Sequence, residues 1–388
     1  MSTNRTAPAG RAEVVIIGGG VMGLSTAYEL AAAGVKDIIV IERDMLGSGS
    51  TCKAAGGVRA QFSDEVNIAL GMRSLQTFEA FGERFDQEID LHQVGYLFLL
   101  DSADDVAAFE RNIKLQNELG VPSRMIDVAE AKTLSPLIST EGLLAAAFSP
   151  TDGHCTPESV VQGYASAARR LGVQIVTHCE AQGIDVVAGD ITGVQTNRGR
   201  IETSAVVCTA GAWSQAVGAW VGVDLPIVPL RRQILVTDPT PGIADDTPFT
   251  IDFGTTYYFH REGRGLLVGM SDPDETPGFK MSRSQDWLPG LAAALERRTP
   301  SLVDVGMASG WAGLYEMTPD HNAVIGEAAG VSRFLYAAGF SGHGFLMGPA
   351  VGEVMRDLYL GRTPFVDVSG LTAERFEHSE IRPELNIV

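Results

Sequence analysis

Two glycine groupings hold the residue types and spacings that suit an anionic or electron-rich ligand. Gly18, Gly20 and Gly23 form G-x-G-x-x-G, and Gly342, His343, Gly344, Phe345 and Leu346 stand within "GFSGHGFLMGPAVGE" at residues 339–353. The first spacing suits a pyrophosphate. One glycine makes a tight turn, the next lets backbone approach the phosphates, and the third lets a helix sit close to a strand. Val21 and Met22 open that helix, where backbone N–H groups are free. Glu42 supplies a carboxylate for ribose hydroxyls and disfavours a 2′-phosphate, hence NADP; Arg43 follows it. The second grouping also runs into an apolar, helix-like segment, so it too is a helix N-terminus able to hold negative charge.

Elements must place these groups. Val14 to Ile17 read as a buried parallel strand, and Leu24, Ala27, Tyr28 and Ala31 recur at helical spacing. Gly34 stops that helix and "DIIVIE" makes the second strand, completing a βαβ unit that binds a dinucleotide but does not separate NAD from FAD. Three later stretches do. "LGSGSTCKAAGGVRAQFS", residues 46–63, offers small residues to lie flat against an extended ligand. Ser50 and Thr51 can bond its oxygens, and Ala54, Ala55, Gly56 and Gly57 leave room for a ring. "IETSAVVCTAGAWS", residues 201–214, is a strand ending in Thr209, Gly211 and Trp213. "RFLYAAGF" is a strand aimed into the second glycine turn, so two distant strand ends face one long ligand.

Bulk composition narrows the class. The 388 residues carry a net charge of −19, with Lys and Arg scattered, which argues against nucleic acid. Cys52, Cys155, Cys179 and Cys208 are too widely spaced for a zinc cluster, so no metal site is expected. Disulfides are not needed, the polar opening "MSTNRTAPAGRA" reads as a frayed tail, and no apolar run reaches the roughly 20 residues of a membrane span. A cytoplasmic location is expected.

The glycine fingerprint with Glu42, the "STCKAAGGVR" loop, "TAGAWS", "GLYEMTPDHNAVIGE" and "GFSGHGFLMGPAVGE" occur in an order that resembles the FAD-dependent D-amino-acid oxidase superfamily. Within it the chain looks most like the group of sarcosine oxidase, glycine oxidase and the dye-linked proline dehydrogenase β-subunit. The resemblance implies an α/β fold: a Rossmann-like FAD-binding domain with a parallel sheet, and a substrate domain on an antiparallel sheet, discontinuous in sequence. The FAD domain is expected over 12–90, 150–224 and 318–388, and the substrate domain over 91–149 and 225–317. Helices are expected near 103–119 and 157–171, the latter with an N-cap at Thr156, and "FTIDFGTTYYFHREGRGLLVGMSD" reads as a hairpin.

Oxidation of a C–N bond is implied, with hydride passing to flavin and an imine hydrolysing afterwards. The expected cofactor set is Gly18, Gly20, Val21, Met22, Gly23, Glu42, Arg43, Ser50, Thr51, Ala55, Gly56, Gly57, Ala181, Thr209, Gly211, Trp213, Gly342, His343, Gly344, Phe345 and Leu346. Arg59 matches a carboxylate-holding arginine, and Tyr257, Tyr315 and His343 complete the catalytic candidates. Tyr258 is a further aromatic of the pocket wall, and Arg231 and Arg232 are weaker candidates for the role of Arg59, read as structural. Three departures from monomeric sarcosine oxidases follow. Gly313 stands where they attach flavin through cysteine, so FAD should be noncovalent. Leu346 replaces a carboxylate-binding lysine, so a larger or more apolar substrate is expected. Leu267 replaces a lysine that assists reaction with oxygen, so a dehydrogenase is favoured, with electrons leaving to a quinone, a dye, a partner protein or, in the oxidase case, oxygen. The alternatives are a flavin-carrying β subunit active only in a hetero-oligomer, and an NAD-dependent dehydrogenase.

Overall fold

The computed structural model describes residues 8–240, 242–377 and 382–387; residues 1–7 of the polar opening stretch lie outside them. A six-stranded sheet runs in the order Val324–Glu327, Phe334–Ala338, Val206–Cys208, Val14–Ile17, Ile38–Ile41 and Gln174–Val176. Its pairs are parallel except for the antiparallel edge pair Val324–Glu327 and Phe334–Ala338. Val14 and Ile16 enter one apolar cluster and Val15 and Ile17 another, all buried. A strand covered on both faces has no polar side to show, which is why it reads as an unbroken apolar run.

Three neighbouring strands of this sheet end together, at Ile17, Cys208 and Ala338, and each runs on into a segment of small residues. The helices Val21–Ala32 and Gly344–Tyr359 follow the first and third of these ends. They pack closely because Gly348 and Gly352 have no side chains. A Cβ at Gly348 would lie 2.5 Å from the Val21 side chain, and one at Gly352 would lie 2.8 Å from Ser25. The Ser25 hydroxyl donates to the Gly348 carbonyl at 2.8 Å, locking the pair. Both helices therefore present their N-termini along one sheet edge, outside the carboxyl ends of the strands, where such sheets bind ligands.

The second large sheet has eight strands, in the order Met307–Met317, Val228–Thr237, Gly265–Met270, Tyr257–Glu262, Phe249–Asp252, Tyr96–Leu100, Ala145–Ser149 and Arg124–Ile126. All its pairs are antiparallel except Phe249–Asp252 with Tyr96–Leu100. Alternation divides it cleanly. Leu97, Leu99, Tyr257, Phe259, Leu266 and Val268 pack on one face against Trp287, Leu291 and Leu295. Tyr96, Phe98, Phe249, Ile251, Tyr258, Leu267 and Ile234 occupy the other.

Several local expectations are refined. The stretch read as a hairpin forms three strands, because a turn with Thr256 at φ 62° separates Phe249–Asp252 from Tyr257–Glu262. The helix expected near 157–171 spans Pro157–Arg170, but Thr156 caps it without a side-chain hydrogen bond. The four cysteines are free, and among the described residues no helix is long and apolar enough to cross a membrane.

Candidate active site

A crevice opens at the carboxyl edge of the parallel sheet. Gly18, Gly20, Val21, Met22, Glu42, Arg43, Ser50, Thr51, Ala181, Thr209, Gly211 and Trp213 line it. Gly23 lies behind, where its missing side chain allows the helix to meet the strand: a Cβ there would be 2.0 Å from the Gly18 carbonyl oxygen. Gly18 is as constrained, with φ +117° and a would-be Cβ 2.2 Å from the Thr209 carbonyl oxygen. Glu42 is held by two backbone donors, Gly19 N–H at 2.8 Å and Asp44 N–H at 2.9 Å. The Arg43 guanidinium lies 3.6 Å over the Trp213 ring, forming one wall.

The crevice continues into a chamber between the two sheets; Val21, Met22, Ser50, Thr51 and Glu316 line both. Ala55, Gly56, Gly57, Gly342, His343, Gly344, Phe345 and Leu346 line the chamber, together with Arg59 and Tyr315. Glu316 holds the turn before the last helix: its Oε2 accepts from Gly339 N–H at 2.9 Å and its carbonyl from Ser341 N–H at 3.0 Å. Gly342, at φ +101°, leaves room for the Tyr315 ring, since a Cβ would lie 2.5 Å from it.

Burial sets the electrostatics. It pushes the His343 imidazole well below its ordinary pKa, and the nearby Arg59 charge adds to this, so the ring is neutral at working pH. It pushes the Tyr258 and Tyr315 phenols above their ordinary values, with Arg232 pulling both back. The phenols stay protonated and can donate. Asp152, behind the chamber, rises to about 7, mainly through burial, although Ala60 N–H donates to it at 3.2 Å.

One catalytic candidate is misplaced. Tyr257 faces away from the chamber, fully buried, with its hydroxyl 3.0 Å from Thr299 Oγ1. Its neighbour Tyr258 lines the chamber. Successive strand residues point to opposite faces, so a one-residue difference moves a side chain through the sheet. The same rule separates two arginines read as structural. Arg231 pairs with Glu275 at 2.5 Å, whereas Arg232 lines the chamber. Leu267 is not among the chamber residues; it lines an adjoining pocket, with Ala54 and Ala55 shared between the two. Sequence reasoning did not single out Tyr96, Phe249, Ile251 or Lys53, all at the chamber wall. The period-two pattern of the strands was the available signal for the first three. No metal-holding cluster is present among the described residues.

These features fit a long dinucleotide. The glycine cradle and Glu42 suit the pyrophosphate and ribose, and the small-residue loop with the second helix N-terminus leaves a flat slot beyond. Comparison with known proteins agrees. Residues 13–358 match the family model DAO, FAD dependent oxidoreductase. Human mitochondrial sarcosine dehydrogenase is 30% identical over 95% of this chain, and rat mitochondrial dimethylglycine dehydrogenase 29% over 94%. The chain spans only 42% and 45% of those relatives' lengths. The structure matches L-proline dehydrogenase from P. horikoshii with a TM-score of 0.90 and 34% identity, covering 96% of this chain and 99% of that one. Glycine oxidase from Geobacillus kaustophilus shares the fold, with a TM-score of 0.85 at 24% identity over 96% of this chain and 100% of that one. The chain belongs to the DAO family of FAD-dependent oxidoreductases.

Proposed function

We propose that this chain oxidises the C–N bond of a secondary amino acid, such as proline, sarcosine or another N-alkyl amino acid, as a dehydrogenase with noncovalent FAD. The observation that carries this is the chamber itself: Arg59 and Arg232 supply positive charge beside the protonated phenols of Tyr258 and Tyr315. FAD, when bound, supplies the acceptor for hydride leaving a carbon next to nitrogen, which gives an imine that water hydrolyses. The adenosine and pyrophosphate would be held by Gly18, Gly20, Glu42 and Thr51, and the ring by Gly342 to Leu346. Phe249, Ile251, Ile234 and Leu346 exclude water and disfavour a charged amine, so the substrate nitrogen reacts unprotonated without a dedicated base.

Noncovalent binding is supported by Gly313, where a Cβ would lie 2.6 Å from the Lys53 Cβ; a cysteine there would not fit without movement. The names of the sarcosine and proline dehydrogenase relatives support the dehydrogenase reading. Lys53 favours the oxidase instead, because an ammonium at the chamber wall would stabilise reduced oxygen. Anaerobic bleaching of the flavin against D-, L- and N-methyl amino acids, followed by admission of air, tests both points. Bleaching by a secondary amino acid with slow return of colour is expected. Fast return makes the enzyme an oxidase, and silence across the panel makes the chain a flavin-carrying subunit of a larger complex.

A further inference from the structure

We propose that residues 275–282, in the loop that leaves the eight-stranded sheet after Met270, clamp the adenosine half of FAD in the crevice, with Arg231 as the residue that positions the loop. The inference rests on the placement of adenosine in the crevice given above, and it adds a wall that the parallel sheet does not supply.

The loop joins the strand Gly265–Met270 to the helix Leu288–Arg298 and reaches the crevice on the way. Met281 lines the crevice, and the Phe279 ring stacks on Trp213 with centroids 5.2 Å apart and planes at 20°. Trp213 is itself a crevice wall. Phe279 and Met281 nonetheless remain 53% and 38% exposed. Large apolar side chains left in water beside a ligand site gain from being covered. An adenosine in the crevice would cover more of Met281, and Phe279 fixes the tryptophan beside which it would lie.

One arginine holds the loop in this place. Arg231 Nε donates to the Glu275 carboxylate at 2.5 Å and Nη1 to the Ser282 carbonyl at 3.0 Å. A single side chain therefore grips the loop on both sides of Phe279 and Met281. The Glu275 side chain is buried, and Lys280 Nζ donates to its other oxygen at 2.7 Å. Gly278 N–H donates to the Pro229 carbonyl at 2.9 Å, a third tie to the strand that carries Arg231. A buried ion pair contributes little net stability, so its effect here is to fix where the loop runs. The groups it delivers to the crevice are a ring and a thioether.

The test follows FAD release from diluted holoenzyme as a rise in flavin fluorescence, a readout independent of turnover. Wild type is compared with Phe279→Ala, Arg231→Met, the double variant, Glu42→Ala and Phe365→Ala. The last removes a similarly exposed ring that lines neither crevice nor chamber. F279A and R231M should each release FAD about tenfold faster, and F365A at the wild-type rate. The double variant should stay near tenfold rather than about 100-fold, because both changes remove one contact. Release from F279A within about twofold of wild type, or from the double variant near 100-fold, overturns the clamp. An R231M protein that melts earlier yet releases FAD at the wild-type rate overturns the role of Arg231. If R231M does not fold, F279A carries the test, since its side chain is exposed. Faster release from E42A alone leaves adenosine in the crevice without a clamp, whereas unchanged release from both E42A and F279A removes that placement and the clamp together.

Discussion

The crevice and the chamber each receive a helix N-terminus, yet their surroundings are unlike. At Val21–Ala32 the N-terminus is framed by Gly18, Gly20, Glu42 and Thr51, and Val21 N–H donates to Thr51 Oγ1 at 3.1 Å. At Gly344–Tyr359 it is framed by Tyr315, Phe345, Leu346 and the His343 ring, which meets Phe62 edge-on at 5.1 Å. The same backbone device therefore does two jobs. With glycines and polar side chains around it, it suits phosphates; with aromatic and apolar walls, it suits a flat ring that gains negative charge. The difference lies in what surrounds each N-terminus: loop glycines and polar groups at the first, and at the second Tyr315 together with His343, Phe345 and Leu346 of the helix's own first turn.

The largest effect should come from a methyl group added at each turn. Gly18→Ala meets backbone at 2.2 Å and a positive φ, so neither partner can yield; flavin content of the purified protein should fall more than tenfold. Gly342→Ala carries positive-φ strain too, but its Cβ meets the Tyr315 ring, which can shift, and not backbone, so it should lose less flavin than Gly18→Ala while its rate of flavin reduction falls. Equal loss of flavin in both would break the contrast.

Asp152 sharpens the chamber side. Its pKa is raised from 3.8 to about 7, so the native state prefers the protonated form. The stability this contributes is full below pH 3.8 and is lost as pH rises through about 7. Asp152→Asn should therefore gain on wild type across that window, by an amount of the order of 4 kcal/mol at about 1.4 kcal/mol per pH unit. Denaturant unfolding at pH 5 and pH 8 brackets two of those units and should show about 3 kcal/mol of it, and an equal difference at both would contradict the assignment.

The smallest effects separate the two faces of one strand. Tyr258→Phe should lower kcat/KM about tenfold through loss of a chamber hydroxyl. Tyr257→Phe should cost about 1 kcal/mol of stability with its Thr299 hydrogen bond and leave kcat/KM within about twofold. Reversed results would place the wrong tyrosine at the site.

The two regions were unequally legible. The crevice was readable because its logic is local: glycines at fixed spacing, a strand before them, an acid at the next strand end. The chamber is assembled from side chains far apart in sequence, and its membership turns on which face each strand shows. Tyr257 and Tyr258, or Arg231 and Arg232, differ by one position that motif matching spans with a gap and a pleated strand does not. Arg59 shows a second limit. Its arrival at the chamber was expected, but its bonds to Gln61 and Asn386 depend on the last residues folding back 327 positions later. Tyr96 was missed because aromatic strand residues are usually core, and its phenol fills the space left by Gly57, where a Cβ would lie 1.8 Å from it.

A crystal structure of the chain with FAD, grown in the presence of acetate, tests most directly whether one cofactor spans both regions. The expected result is a ribose at Glu42, the pyrophosphate on Gly18 and Gly20, and the ring against Gly342 to Leu346. A ring that lies away from the last helix, in the pocket beyond Ala54 and Ala55 or outside the chamber, would contradict it.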